Sequence, residues 1–248
     1  MTDFLLLTLY APLASWGDIA VGEVRDSWDS PSRSAVLGLV AAALGIDRED
    51  QSAHDGLDAS LGVAACLDVP GVSTVDYHTV QTATASWVKR HKPRTRRELL
   101  EADDLPTIIS RRTLRLDTMA RGAIWQRPGA SRTLAELCLA LERPAFTLYA
   151  GRKANVLGLP IAPRMVTATT VASAFLADPA VPATTLLGSL PARAEWQPVI
   201  SSDIDTDVPT GLLHAHRVLR RDDKPHRGRW QFANRQVEVG NLGAPGVA

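Results

Sequence analysis

The pattern of apolar and polar residues along the chain predicts both strands and amphipathic helices. Residues 4–10 form a continuous apolar run in front of Ala11-Pro12, which predicts a buried strand. The stretch 15–29 is predicted to be a loop, and apolar residues then recur at helical spacing over 36–44. Ser32 precedes this stripe as a helix N-cap and Gly45 follows it as a C′ residue, so the pattern predicts one amphipathic helix.

The pattern after this helix predicts an antiparallel sheet. A polar helix over 48–59 leads into an alternating strand at 63–69, and 72–78 is predicted to pair with it through a turn at Pro70-Gly71. Thr133 and Glu136 form a capping box in front of a later helix. Further strands are predicted at 113–117, 123–125, 146–149, 212–220 and 229–239. This order of elements predicts an α+β fold.

Charge is distributed unevenly along a chain whose net charge is zero. Residues 79–132 hold twelve Lys and Arg against five Asp and Glu, whereas residues 1–78 hold three against twelve. Six cations fall within nine consecutive residues that contain no acid: Lys89, Arg90, Lys92, Arg94, Arg96 and Arg97. Such a segment lies in solvent or on an anion. Because Lys and Arg neutralise phosphates, the pattern predicts a nucleic-acid-binding protein.

Sequence signals for catalysis are weak. The chain has no Walker loop, dinucleotide fingerprint, Gly-x-Ser-x-Gly elbow or His-Glu-x-x-His motif, so no cofactor and no metal is expected. His214 and His216 share a strand face, but no third ligand is near them in sequence. Tyr77 and His78 at the base of the basic arm could support metal-free RNA cleavage with a lysine such as Lys89. The alternative is that Tyr77 packs in the core and His78 only hydrogen-bonds or stacks.

Two cysteines, Cys66 and Cys138, lie far apart in apolar surroundings. They are expected to be buried, reduced thiols, which is typical of proteins of the cytoplasm. No signal peptide and no apolar run long enough to span a bilayer is recognised, so we expect a cytoplasmic protein without membrane contact.

Short motifs in one fixed order run along nearly the whole chain. They are APLASWG at 11–17, Arg25, PSRS at 31–34, DYHTV at 76–80, YAGRK at 149–153 and FANR at 232–235. Together they resemble the CasD family, the Cas5-type subunits of the type I-E CRISPR surveillance complex Cascade. The resemblance implies a RAMP-type ferredoxin-like (RRM-like) domain over 1–160, with a basic thumb inserted at about 79–115. A smaller β-rich part follows over 161–248.

The same resemblance implies a function and a set of partners. Members of the family are non-catalytic RNA-binding subunits that hold the 5′ handle of the mature CRISPR RNA and cap the backbone, in antiviral defence. The implied partners are the CasC backbone subunit, the large CasA subunit and target DNA near the handle–spacer junction. The related type I-C member cleaves the repeat without a metal, which keeps an endoribonuclease using Tyr77, His78 and a lysine as the alternative.

The resemblance also assigns residues to the RNA. Trp16, Arg25, Arg33, His78, Arg152 and Lys153 would hold phosphates or bases of the handle. The thumb would cross the guide where the handle ends and the spacer begins. Its implied contacts are Lys89, Arg90, Lys92, Arg94, Arg96, Arg97, Arg111 and Arg112.

Overall fold

The computed structural model describes residues 1–178, 197–226 and 231–243. The first strand, β1 (Thr2–Ala14), contains the predicted apolar run, and residues 4–10 are all buried. β1 continues through Pro12, because its second neighbour, β7 (Arg164–Ala168), pairs with β1 only as far as Leu6. Pro12 lies beyond the residues of β1 that pair with β7, so its missing N–H group costs no hydrogen bond between these two strands.

The predicted loop at 15–29 is a β-hairpin instead. β2 (Trp16–Val21) and β3 (Val24–Trp28) are antiparallel and are joined by a two-residue turn, in which Gly22 has a φ of 60°. The residues of β3 are exposed or half-buried, so this strand lacks the alternation of apolar and polar residues that marks a half-buried strand in a sequence.

The first two helices follow their local sequence signals. α1 (Arg33–Ala43) begins after Ser32, whose hydroxyl accepts a hydrogen bond from the Ala35 N–H group, and Gly45 follows it with a φ of 71°. α2 (Gln51–Ser60) is capped by Asp50. Both helices were predicted, and both are confirmed.

The strands that follow pair differently from the prediction. β4 (Leu61–Val69) and β5 (Val72–Gln81) do not form a hairpin; they lie end to end along one long strand, β6 (Thr107–Gln126). The two strands predicted at 113–117 and 123–125 are both parts of β6. At the junction, Gly71 has a φ of 64°, and a Cβ atom there would collide with the Leu116 carbonyl oxygen.

The basic arm is an ordered tip on a two-stranded stalk. We call the paired residues 72–81 and 107–116 the stalk, and residues 82–106 the thumb tip. The thumb tip contains α3 (Ala85–His91) and α4 (Arg96–Leu99), which are capped by Thr84 and Thr95. The arm is therefore a folded projection from the sheet.

The next helix, α5 (Leu134–Glu142), begins at the predicted capping box of Thr133 and Glu136. The segment 146–149 was predicted to be a strand, but it forms only an isolated bridge between Tyr149 and Val156. Part of its backbone is bonded elsewhere, because the Phe146 N–H group donates to the Ala42 carbonyl at the end of α1.

The remaining elements extend the same sheet. They are α6 (Val171–Leu176), β8 (Val199–Asp203), β9 (Leu213–His226) and β10 (Gln231–Asn241). β8 pairs with β4, and β10 lies between β8 and β9, so the predicted C-terminal hairpin is confirmed where it is described. The predicted strand positions 229 and 230 lie outside the described residues. Strands from both sides of residue 160 thus share one sheet.

Helices cover both faces of the central strands, which lie in the antiparallel order β7-β1-β6-β4. Leu5, Leu7 and Leu9 pack against α1, α2 and α5, whereas Phe4 and Leu6 face α6. Each such side chain contributes about 1.5–3 kcal/mol when fully buried. The chain has a mixed α+β fold. Within the described residues, no helix combines the length and apolar character needed to cross a membrane.

Candidate nucleic-acid interface

Three arginines from distant parts of the chain meet on one face of the sheet. Arg25 on β3 lies opposite Arg112 on β6, and Asp76 on β5 lies opposite Arg112 from the other side. Residues directly opposite each other point to the same face, so this row carries two cations and one carboxylate. Arg152 lies close enough to this row to be affected by the charges of Arg25, Arg112 and Asp76.

The charges in this group are not balanced. Burial of the half-buried Arg152 guanidinium lowers its pKa, and the positive charges of Arg112 and Arg25 lower the pKa further, while Asp76 opposes them. In the described part of the chain, none of the three guanidiniums forms an ion pair with a carboxylate. Partly desolvated cations without a counter-charge favour a bound anion.

A rigid turn fixes Arg152 in this position. Gly151 has a φ of 83°, and a Cβ atom there would collide with the Ser15 carbonyl oxygen. The Ser15 N–H group donates to the Ala150 carbonyl at 3.1 Å, and the buried Asn155 side chain donates to the same carbonyl at 3.3 Å. The turn is therefore held against the start of the β2–β3 hairpin, beside Arg25.

His78 lies on the same side of the stalk as this arginine group. It is two residues beyond Asp76 on β5 and lies opposite Ser110, whose hydroxyl accepts a hydrogen bond from the Arg112 Nε atom at 3.0 Å. Lys153 is exposed on the turn next to Arg152. The structure thus brings together the predicted residues Arg25, His78, Arg112, Arg152 and Lys153, which we call the arginine surface.

Arg111 is excluded from this surface by the alternation of side chains along β6. It lies opposite Tyr77 and Val24, so it points to the other face of the stalk. Its backbone N–H group donates to the Glu23 carbonyl at 2.8 Å, which fixes its place beside β3.

The thumb-tip cations are all exposed: Lys89, Arg90, Lys92, Arg94, Arg96 and Arg97. Arg96 donates to the Gln81 carbonyl at 2.7 Å and so ties α4 to the end of β5. Trp87 stacks on His91 with ring centroids 4.2 Å apart. Among the described residues, the six cations form no ion pair, so their charges face solvent at the end of the stalk.

Trp16 does not belong to the surface, contrary to the prediction. Only 1% of its surface is exposed, and its indole packs against Ala11, Ala14 and Ala150. The ring fills the space beneath the Arg152 turn and is not available to stack on a base. Trp16 therefore supports the turn from below.

Arg33 is also placed differently from the prediction. The side chain is buried, and its guanidinium pairs with Asp58 and Asp203 and donates to the Leu61 carbonyl at 3.0 Å. Its donors are used inside the protein, so the structure does not support a phosphate contact for Arg33. The partners lie 25, 28 and 170 residues away in sequence, which is why the sequence around Arg33 gives no sign of them.

Arg33 is one member of a buried ion network that joins the C-terminal strands to α1 and β4. Arg235 from the FANR motif contacts Asp203 at 2.6 Å and Asp222 at 2.9 Å. Arg127 contacts Asp203 at 3.2 Å. Sequence reasoning missed this role for Arg235, as it missed Asn155 in the turn; the FANR motif marks Arg235, but nothing local identifies its carboxylate partners.

Metal-site geometry is not found in the described residues, where no group of three His, Cys, Asp or Glu could hold an ion. Cys66 and Cys138 are free thiols; Cys66 is buried and Cys138 is half-buried. Burial raises the pKa of both thiols.

Comparisons with known proteins agree with these features. The family model for CRISPR-associated protein (Cas_Cas5) matches residues 4–238. The CRISPR system Cascade subunit CasD of Escherichia coli (strain K12) is 32% identical over 171 residues, which are 65% of this chain and 70% of that protein. Two solved structures share the fold. A CRISPR RNA-guided surveillance complex has a TM-score of 0.57 and 24% identity, and the alignment covers 98% of this chain and 91% of that one. A Cas protein has a TM-score of 0.58 and 24% identity, and the alignment covers 96% of this chain and 94% of that one. The chain belongs to the Cas5 family of CRISPR-associated proteins.

Proposed function

We propose that this chain is a non-catalytic CRISPR RNA-binding subunit of a Cascade surveillance complex and that it holds the 5′ handle of the guide RNA. The observation that carries the proposal is the convergence of Arg25, Arg112 and Arg152 without an ion-pair partner among the described residues. A row of unpaired arginines suits the closely spaced phosphates of a single strand. The relative from Escherichia coli is named as a Cascade subunit, which supports the same assembly.

The finer description of the fold belongs to this proposal. A ferredoxin-like β-α-β-β-α-β domain has its fourth and third strands on either side of the first, and its second strand outside the third. The order β7-β1-β6-β4, with α1 and α2 after β1 and α5 after β6, fits that arrangement. We therefore assign the chain to the RAMP type, with the stalk and thumb tip inserted between its second and third strands.

The proposed position in the complex follows from where the cations lie along the stalk. The arginine surface lies about halfway along the stalk, at the pairs Asp76–Arg112 and His78–Ser110, and would hold the handle, while the thumb-tip cations lie beyond its far end. The tip would then cross the guide at the handle–spacer junction, near target DNA. In this position the subunit caps the backbone and contacts the CasC subunit and the large CasA subunit.

The alternative, a repeat endoribonuclease, gains no support from the stalk. Tyr77 and His78 are neighbours on β5, so their side chains point to opposite faces of the strand. Two groups on opposite faces cannot act together on one scissile phosphate. Tyr77 is also 58% exposed and does not pack in the core, which was the other expectation for this residue.

Binding of single-stranded handle RNA to the purified chain tests the proposal. We expect Arg25→Gln and Arg152→Gln each to weaken binding about 10-fold or more, since each removes a charge-assisted hydrogen bond. The exposed Arg132→Gln is the matched control and should bind as the wild type does. Equal binding by all four proteins would contradict the proposal. Incubation with repeat RNA in EDTA should leave the RNA intact, whereas cleavage that His78→Ala abolishes would establish the alternative.

A further inference from the structure

The stalk has a second face, opposite the arginine surface. Tyr77 on β5 lies directly opposite Arg111 on β6, and Val24 on β3 lies on the other side of Arg111. Val75 is two residues before Tyr77 and points the same way. Tyr77, Val75 and Val24 are 58%, 59% and 44% exposed. Large apolar side chains grouped on an exposed sheet face mark a binding surface.

The chemistry of this second face is that of an aromatic ring beside an unpaired cation. Residues directly opposite each other in an antiparallel pair have Cβ atoms about 5 Å apart, so the side chains of Tyr77 and Arg111 leave the sheet next to each other on the same face. In the part of the chain that the structure describes, Arg111 forms no ion pair. A fitting ligand offers a flat ring to Tyr77 and an anion to Arg111, and a nucleotide carries both.

We propose that this second face binds one nucleotide of a single strand, with its base stacked on Tyr77 and its phosphate at Arg111. The site rests on the proposed function, because it adds a second nucleic-acid contact to a guide-binding subunit. Its occupant is single-stranded nucleic acid, which is either RNA continuing from the arginine surface or DNA. The unpaired charge of Arg111 and the six exposed cations of the thumb tip favour a polyanion over a protein partner.

Base stacking gives this proposal a direct readout. A short single-stranded RNA and a DNA of the same sequence are each labelled with 2-aminopurine, whose fluorescence is quenched when it stacks, and are bound to the full chain. Tyr77→Leu keeps an apolar side chain but removes the ring, so we expect loss of quenching and about 5- to 100-fold weaker binding. Tyr77→Phe should preserve both. Leu219→Ala, at an exposed position of β9, is the control.

The outcomes separate this site from the arginine surface. Quenching with RNA, or with DNA, that is lost in Tyr77→Leu and reduced in Arg111→Gln supports the site and identifies its strand. Unchanged quenching and affinity in Tyr77→Leu, while Arg152→Gln still binds weakly, would overturn the site and leave the proposed function intact. Binding of neither strand by the wild type would overturn both. Loss of a protein partner in Tyr77→Leu with unchanged RNA and DNA binding would instead make this face a protein interface.

Discussion

At the scale of single residues, Gly151 determines where a cation is placed. Its positive φ and the lack of room for a Cβ atom beside Ser15 allow only glycine at this position without rearrangement. Arg152 follows directly, so the geometry of the turn sets its distance from Arg25 and Arg112. The residue that governs this part of the arginine surface is therefore not itself charged.

Gly151→Ala tests this dependence. A side chain at Gly151 must push the turn away from Ser15, so we expect RNA binding to weaken about as much as in Arg152→Gln, with a stability loss of about 1–3 kcal/mol. Titration with handle RNA and urea unfolding measure the two effects. Gly129→Ala is the matched control, because Gly129 also has a positive φ but no atom lies within 4 Å of its Cβ position. RNA binding at wild-type strength in Gly151→Ala would contradict the dependence.

Arg33 gives the opposite case, a charged residue whose role is structural. Removing it takes one partner from the buried Asp203 carboxylate, so Arg33→Ala should lower the free energy of unfolding by about 3–5 kcal/mol. Urea unfolding measures the loss, and Arg132→Ala serves as the exposed control. The folded fraction should still bind RNA. A variant with unchanged stability and lost RNA binding would return Arg33 to the RNA surface.

At the scale of elements, the stalk separates two groups of cations. The arginine surface lies about halfway along it, at Arg112 and His78, and the six thumb-tip cations lie beyond residue 81 at its far end. The β5–β6 pairing is continuous over ten residues, so the tip is held away from the sheet. The two groups should therefore contribute separately to RNA binding.

Charge reversal in the thumb tip tests that separation. Arg94→Glu, Arg96→Glu and Arg97→Glu together should weaken binding of a guide that extends past the handle and flatten its salt dependence. Each lost phosphate contact should reduce the slope of the logarithm of affinity against that of salt concentration by about 0.7. An RNA limited to the handle is the control and should bind almost normally. An unchanged slope with the longer guide would mean that the tip faces solvent.

Elements marked by neighbouring residues were predictable from the sequence, and elements defined by distant pairing were not. Ser32, Gly45 and the Thr133–Glu136 capping box act within one helical turn, and α1 and α5 begin where these signals predicted. The arrangement of β4 and β5 along β6 depends on contacts up to about 65 residues apart (Leu61 with Gln126), and the turn at Pro70-Gly71 was read as a hairpin. Within the site, Arg25 and Arg152 were predicted from motifs, while Trp16 and Arg33 from the same motifs are buried.

At the scale of the whole molecule, the C-terminal strands complete the fold of the first part. β8 pairs with β4, and Asp203 at its end binds Arg33, Arg127 and Arg235. The two parts predicted on either side of residue 160 therefore contribute strands to the same sheet and residues to the same buried ion network. Stability should belong to the chain as a unit.

Truncation after Asp178 tests this unity. The shortened chain loses Asp203 and the β8 partner of β4, so Arg33 and Arg127 keep charges without their main carboxylate. We expect circular dichroism to show no cooperative unfolding transition of the shortened chain in urea. A chain that lacks only residues 244–248 is the control and should unfold as the full chain does. A cooperative transition in the shortened chain would mean that its residues fold independently.

The continuous register of the stalk also fixes the distance of the thumb tip from the sheet. Each residue advances a strand by about 3.3 Å, so its length sets the distance between the base and the tip. Adding one residue to each strand would turn the side chains beyond the insertion to the opposite face of the stalk. Adding two residues to each strand would restore their direction and move the tip by about 6.6 Å. Relatives whose thumb tip lies at a different distance from the sheet would therefore differ in stalk length by an even number of residues per strand.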